Sequence, residues 1–134
     1  MKSLIIFCAI FAVVFANWST PTKEQFKQHR DDCLKEGNVP EETANKIRKE
    51  QYPNDRDTYC YIRCVGSKSG IWNDRKGYDI DRSLQVFEAN GYEVTRENLE
   101  RCFAPLPGAD TCTWAGVNMR CLRDNKYVTK KASA

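Results

Sequence analysis

From Thr22 onward, apolar residues recur at helical rather than strand spacing. "KEQFKQHRDDCLKEG" puts Phe26, Arg30, Cys33 and Leu34 on one side of a first helix. Thr22 caps it, Gln25 takes the capping-box position and Gly37 stops it. Pro40, with Glu41 and Glu42 behind it, opens a second helix carrying Ala44 and Ile47 and ending near Tyr52-Pro53. Asp55 or Asp57 starts a third, "RDTYCYIRCV", with a stripe of Cys60, Tyr61, Cys64 and Val65. "GSKSGIWNDRKG" reads as a loop. A fourth helix begins near Asp79, turns Ile80, Leu84 and Phe87 inward, and stops at Asn90-Gly91. Thr95 caps a fifth, with Val94 and Leu99 as a hydrophobic staple, ending before Pro105. Asp110 caps a sixth, on which Trp114, Val117 and Cys121 share a face. Strand signals are few, and no Asn-Gly turn joins two alternating apolar runs. The expected fold is all-α, with six short helices.

The first sixteen residues fall outside that pattern. "MKSLIIFCAIFAVVFA" has a basic start, an apolar run from Leu4 to Phe15, and Val14 and Ala16 at cleavage-site positions. This is the anatomy of a secretory leader, and the apolar run is too short to span a bilayer. Residues 1–16 are thus expected to be removed, leaving one domain over 17–134 in an extracellular fluid. Cleavage also removes Cys8, so seven cysteines become six, an even number fit for a disulfide framework. Without Lys2, 20 basic side chains face 18 acidic ones, a net charge of about +2. Such mild, scattered charge offers no nucleic-acid footprint. A sequon, Asn17-Trp18-Ser19, stands at the expected new N-terminus.

"CYIRC" is the most informative stretch. On a helix, Cys60 and Cys64 stand on one face in consecutive turns, a poor geometry for bonding each other. Both should pair outward, to two different elements, making the third helix a central post. Spacing alone leaves fifteen pairings of six cysteines open. The gaps Cys33–x26–Cys60–x3–Cys64–x37–Cys102–x9–Cys112–x8–Cys121 resemble those of the insect odorant-binding protein family, the pheromone and general odorant-binding superfamily. The likeness spans the whole mature chain, and the gaps of three and eight residues are the family's hallmark. It implies the pairs Cys33–Cys64, Cys60–Cys112 and Cys102–Cys121. It also implies a helical bundle around a central hydrophobic cavity and a small hydrophobic ligand: an odorant, pheromone, fatty acid or similar lipid.

The residues offer little for catalysis. His29 is the single histidine, the cysteines are claimed by bridges, and neither a nucleophile motif nor a Gly-rich phosphate loop appears. "GIWNDRKGYDID" lacks the alternating ligands and distal Glu of a calcium loop. The expectation is a carrier rather than an enzyme, without cofactor or metal and without stable membrane insertion. A receptor or a second copy of the chain as partner is left open. The expected cavity wall is Ile47, Tyr61, Val65, Leu84, Phe87, Phe103, Trp114 and Val117. Asn125 is the expected stop of the last helix, and in the extended tail beyond it, Lys126–Ala134, the two large apolar residues, Tyr127 and Val128, either fray or fold back as a lid over the cavity mouth. Two other readings compete. On the same fold, a scavenger of small mediators in saliva or reproductive fluid resembles the D7 proteins, though the chain is too short for their two-domain form. From another class, a ligand-free signalling or inhibitor protein would present "GSKSGIWNDRKG" as an epitope around a protruding Trp72.

Overall fold

The computed structural model describes residues 18–132; the expected leader and Asn17 lie outside them. Among these residues six helices form, five of them where side-chain caps place them. Thr22 closes a reciprocal capping box with Gln25 at the start of α1 (Lys23–Glu36). Asp55 caps α3 (Arg56–Lys68), Asp79 caps α4 (Ile80–Ala89), Thr95 caps α5 (Arg96–Cys102) and Asp110 caps α6 (Thr111–Asp124). In each, a side-chain oxygen accepts from the backbone N–H three residues on, filling a donor the helix cannot satisfy itself.

One helix is shorter than its sequence suggests. α2 (Glu41–Arg48) ends before Tyr52-Pro53, because Lys49 is its C-cap and Glu50 turns left-handed at φ 61°. The chain from Glu50 to Asn54 therefore runs irregularly, along the edge of a cavity beside α3.

α3 is the post. Cys60 bonds Cys112 of α6 and Cys64 bonds Cys33 of α1, while Cys102 and Cys121 tie α5 to α6. This is the pairing that the family resemblance implies. Each closed loop removes about 3–4 kcal/mol of unfolded-state freedom in the chain-entropy model, and overlap makes the three values non-additive. The α3–α6 crossing is close: the Cα atoms of Cys60 and Cys112 are 4.5 Å apart. Gly116 is part of the reason, since a Cβ there would lie 2.2 Å from the Tyr59 ring.

The core divides into three packed groups. Cys33, Leu34, Ala44, Ile47 and Tyr61 join α1, α2 and α3. Ile71, Trp72, Tyr78, Val86 and Ala115 form the second, and Leu99, Cys102 and Leu122 the third.

Two short antiparallel ladders were not expected. β1 (Trp72–Asn73) pairs with β2 (Gly77–Tyr78), and β3 (Tyr92–Glu93) pairs with β4 (Thr129–Lys130). Two-residue strands leave no alternation for a sequence reading to detect. The first ladder corrects the epitope reading. Trp72 does not protrude but is 5% exposed, edge-on to both Tyr78 and Trp114. The Asn73 side chain accepts from the backbone N–H groups of Arg75 and Lys76, folding the turn, and Gly77 takes the left-handed φ of 81°. The apolar body of the "loop" is thereby drawn into the core.

Candidate ligand-binding cavity

A cavity of about 520 Å³ lies between the front of α3 and the facing sides of α1, α4 and α6. On α3, Thr58, Ile62 and Val65 point roughly opposite to Cys60 and Cys64 at 100° per residue. The helix is stapled along its back and lines the cavity with its front. The bridges hold the bundle without needing that space filled. Thr58 contributes a buried hydroxyl with no hydrogen-bond partner among the described residues.

The residues of the expected wall fall in different places. Tyr61, Val65, Phe87 and Val128 line the cavity. Ile47 does not: it is fully buried behind α3, against the Cys33 group. Leu84 and Tyr127 pack on the Leu99 group instead, and Trp114 belongs to the Trp72 group. Phe103 packs on both groups and stacks on Tyr78, 4.5 Å between ring centres. Val117, half-buried on α6, also stays out of the lining. The α6 difference has a simple cause. Gly116, Met119, Arg120 and Arg123, with Leu122 beside them, line the cavity, and the first four lie almost half a turn from the Trp114, Val117 and Cys121 stripe. The strongest apolar signal on that helix marks core, and the weaker stripe marks cavity.

Residues outside the expected wall make one part of the cavity polar. The Arg30 Nε donates to the Tyr61 hydroxyl oxygen at 3.2 Å. The Tyr92 hydroxyl donates to Glu50 Oε1 at 2.8 Å, and Lys130 Nζ lies 3.1 Å from Glu50 Oε2. Burial, then the Glu50 carboxylate, push the Tyr92 phenol up to about 12. The hydrogen bonds from Tyr92 and Lys130 hold the Glu50 carboxyl below its usual range. Burial raises the Tyr61 phenol, outweighing Arg30, so Tyr61 stays a proton donor at neutral pH. One of these residues had a visible signal: an arginine at position 30 sits within the apolar stripe of α1, where a solvated side chain has no reason to be. Glu50 had none, because it depends on where α2 breaks.

The tail is folded back. β4 pairs with β3, the Lys131 N–H donates to the Gly91 carbonyl at 2.8 Å, and Lys131 Nζ lies 3.6 Å from Glu88. Val128 faces the cavity, and Lys130 reaches Glu50 at its edge. Among the described residues, Cys33, Glu36 and Cys64 are the one cluster with metal-donor atoms close together, and both sulfurs are spent in a bridge.

Residues 15–125 match the model of the PBP/GOBP family. The chain is 29% identical to odorant-binding protein 22 of Aedes aegypti over 99% of its length and 97% of the relative's. It is likewise 29% identical to general odorant-binding protein 99a of Drosophila melanogaster, covering all of this chain and 98% of that one. A solved structure of the fatty acid binding protein OBP56a, from the oral disk of the blowfly Phormia regina, superposes with a TM-score of 0.60. It is 26% identical and covers 81% of this chain and 97% of its own.

Proposed function

The chain belongs to the PBP/GOBP family, and from that we propose that it is a secreted, non-enzymatic carrier of one small hydrophobic ligand. Residues 1–16 are its leader, 17–134 its working domain, and the α3-lined cavity its binding site. The observation that carries this is the cavity itself, about 520 Å³ and walled mostly by apolar side chains. That is inside the range of about 300–1,000 Å³ usual for small-molecule sites. A ligand entering it exchanges water for Val65, Val86, Phe87 and Met119. Burying some twelve methylenes contributes up to about 0.8 kcal/mol each. That gross gain is of the same order as the about 8 kcal/mol of micromolar binding, with association and ordering costs set against it. Among the described residues, no helix is long and apolar enough to cross a membrane. Carriage is thus a matter of desolvation, transport through fluid and release.

The test is displacement of an apolar fluorescent probe from delipidated protein. Micromolar probe binding, displaced stoichiometrically by long-chain aliphatic molecules, is the expected result. Folded, delipidated protein that takes up no probe would refute the carrier reading.

A further inference from the structure

Gly116 stands inside α6, where glycine weakens a helix and so needs a reason. The reason is Tyr59. A Cβ on Gly116 would lie 2.2 Å from the Tyr59 Cδ1 and 2.4 Å from its Cγ, so the ring rests on bare α6 backbone. Both residues line the cavity, and Tyr59 is half-buried, with its ring toward that space and its hydroxyl at the surface. The hydroxyl donates to Asn54 Oδ1 at 2.8 Å and accepts from Arg120 Nη1 at 3.3 Å. Arg120 is itself steadied by Asp124, 3.1 Å from its Nε. The backbone beside the ring is pinned as well, because Cys60 is bonded to Cys112 of α6. The ring is thus fixed at its root by a disulfide, along its side by Gly116 and at its tip by two hydrogen bonds. Thr58 and Tyr59 lie in the first turn of α3, while Val65 and Gly66 line the cavity two turns further on. These ends are about 10 Å apart along the helix axis. At the far end the wall is hydrocarbon, with Ile71 beside Gly66. At the near end Tyr59 stands between the cavity and the α3–α6 crossing.

We propose that the Tyr59 ring, seated on Gly116, is a fixed stop at one end of the cavity, so that Tyr59 determines how long an aliphatic chain the protein accepts. Resting on the carrier reading, this inference names the residue that sets specificity for length. Each methylene that enters the space leaves water and raises affinity about fourfold. A chain that reaches the ring gains nothing further, because it must fold back, stay in water or displace a side chain held at three points. Only glycine at position 116 lets the ring lie there, since a side chain on α6 would occupy the same place.

The test is a series of straight-chain primary alcohols, from octanol to octadecanol, titrated against a displaceable apolar probe. In wild type, affinity should rise about fourfold per methylene and then stop rising at a definite length. Tyr59→Ala should still bind the shorter alcohols, which shows that it is folded, and should move that break several carbons longer. Tyr59→Leu refills part of the space and should move it by less. Tyr59→Phe keeps the ring but loses both hydroxyl hydrogen bonds, so its break should stay where wild type has it. A break at the wild-type length in both Tyr59→Ala and Tyr59→Leu would overturn the stop while leaving the carrier standing. So would a break that Tyr59→Phe moves as far as Tyr59→Ala, or a wild-type series that rises without a break. Folded wild type that binds none of the alcohols would overturn both.

Discussion

The two ladders are the same size and do opposite jobs. β1–β2 closes within seven residues, and its paired Trp72 and Tyr78 are nearly sealed from water. Tyr78 also donates to the Ala115 carbonyl on α6 at 3.0 Å. β3–β4 joins segments some forty residues apart, its strand residues are mostly exposed, and ion pairs from Lys130 and Lys131 brace it. One is core that happens to be extended; the other is a latch at the edge of a cavity. Aromatic burial contributes kilocalories, whereas exposed ion pairs contribute tenths. Stability should therefore reside in the first ladder and ligand residence in the second.

The largest effect should come from the first. Trp72→Ala removes an indole packed against Tyr78 and Trp114 and should cost about 3–5 kcal/mol of unfolding free energy, read by denaturant titration. A loss below about 1 kcal/mol would erase the distinction between the ladders. The second effect is kinetic. Tyr127 packs on the Leu99 group, so the informative truncation deletes residues 128–134 and leaves Tyr127 in place. Loss of Val128, about 1.5 kcal/mol of apolar contact, should speed probe dissociation roughly tenfold with the helical signal unchanged. Equal off-rates would make the tail a passive end. The smallest effect should come from Glu50→Gln, which weakens the pair with Lys130. An exposed pair is worth about 0.2–1 kcal/mol, so release should quicken less than about fivefold. The wild-type pH profile follows from the depressed Glu50 carboxyl. The latch is intact above that group's ordinary value of 4.5 and is lost as pH falls through its lower folded value. Stopped-flow release should thus be flat from neutral pH down to about 5 and accelerate only in stronger acid. In Glu50→Gln that acid limb should shrink.

Much of this architecture is legible in residues that act locally. Thr22, Asp55, Asp79, Thr95 and Asp110 each cap the helix they precede, because an N-cap needs nothing beyond its own first turn. The cysteine gaps carry the bundle, since a helix with two sulfurs on one face must be held from two sides. The cavity is less legible, because it depends on which of two stripes faces inward. On α6, Trp114 is the strongest apolar marker and belongs to the core, while Gly116 and Met119, weaker in composition, face the cavity. Glu50 and Tyr52 reach the cavity only because α2 stops at Arg48. Neither ladder leaves a pattern, since two residues are too few to show a period.

Two backbone amides decide whether the ladders differ as described. The Asp79 N–H donates to the Ile71 carbonyl beside β1–β2, and the Lys131 N–H to the Gly91 carbonyl beside β3–β4, both at 2.8 Å. Hydrogen exchange measured at these two positions, with and without bound dodecanoate, compares equal bonds in unequal settings. The Asp79 amide should exchange only through global unfolding and far more slowly. The Lys131 amide should exchange by local opening and be slowed further by ligand than global stabilisation alone explains. Equal protection of the two, or a Lys131 rate indifferent to ligand, would contradict the latch.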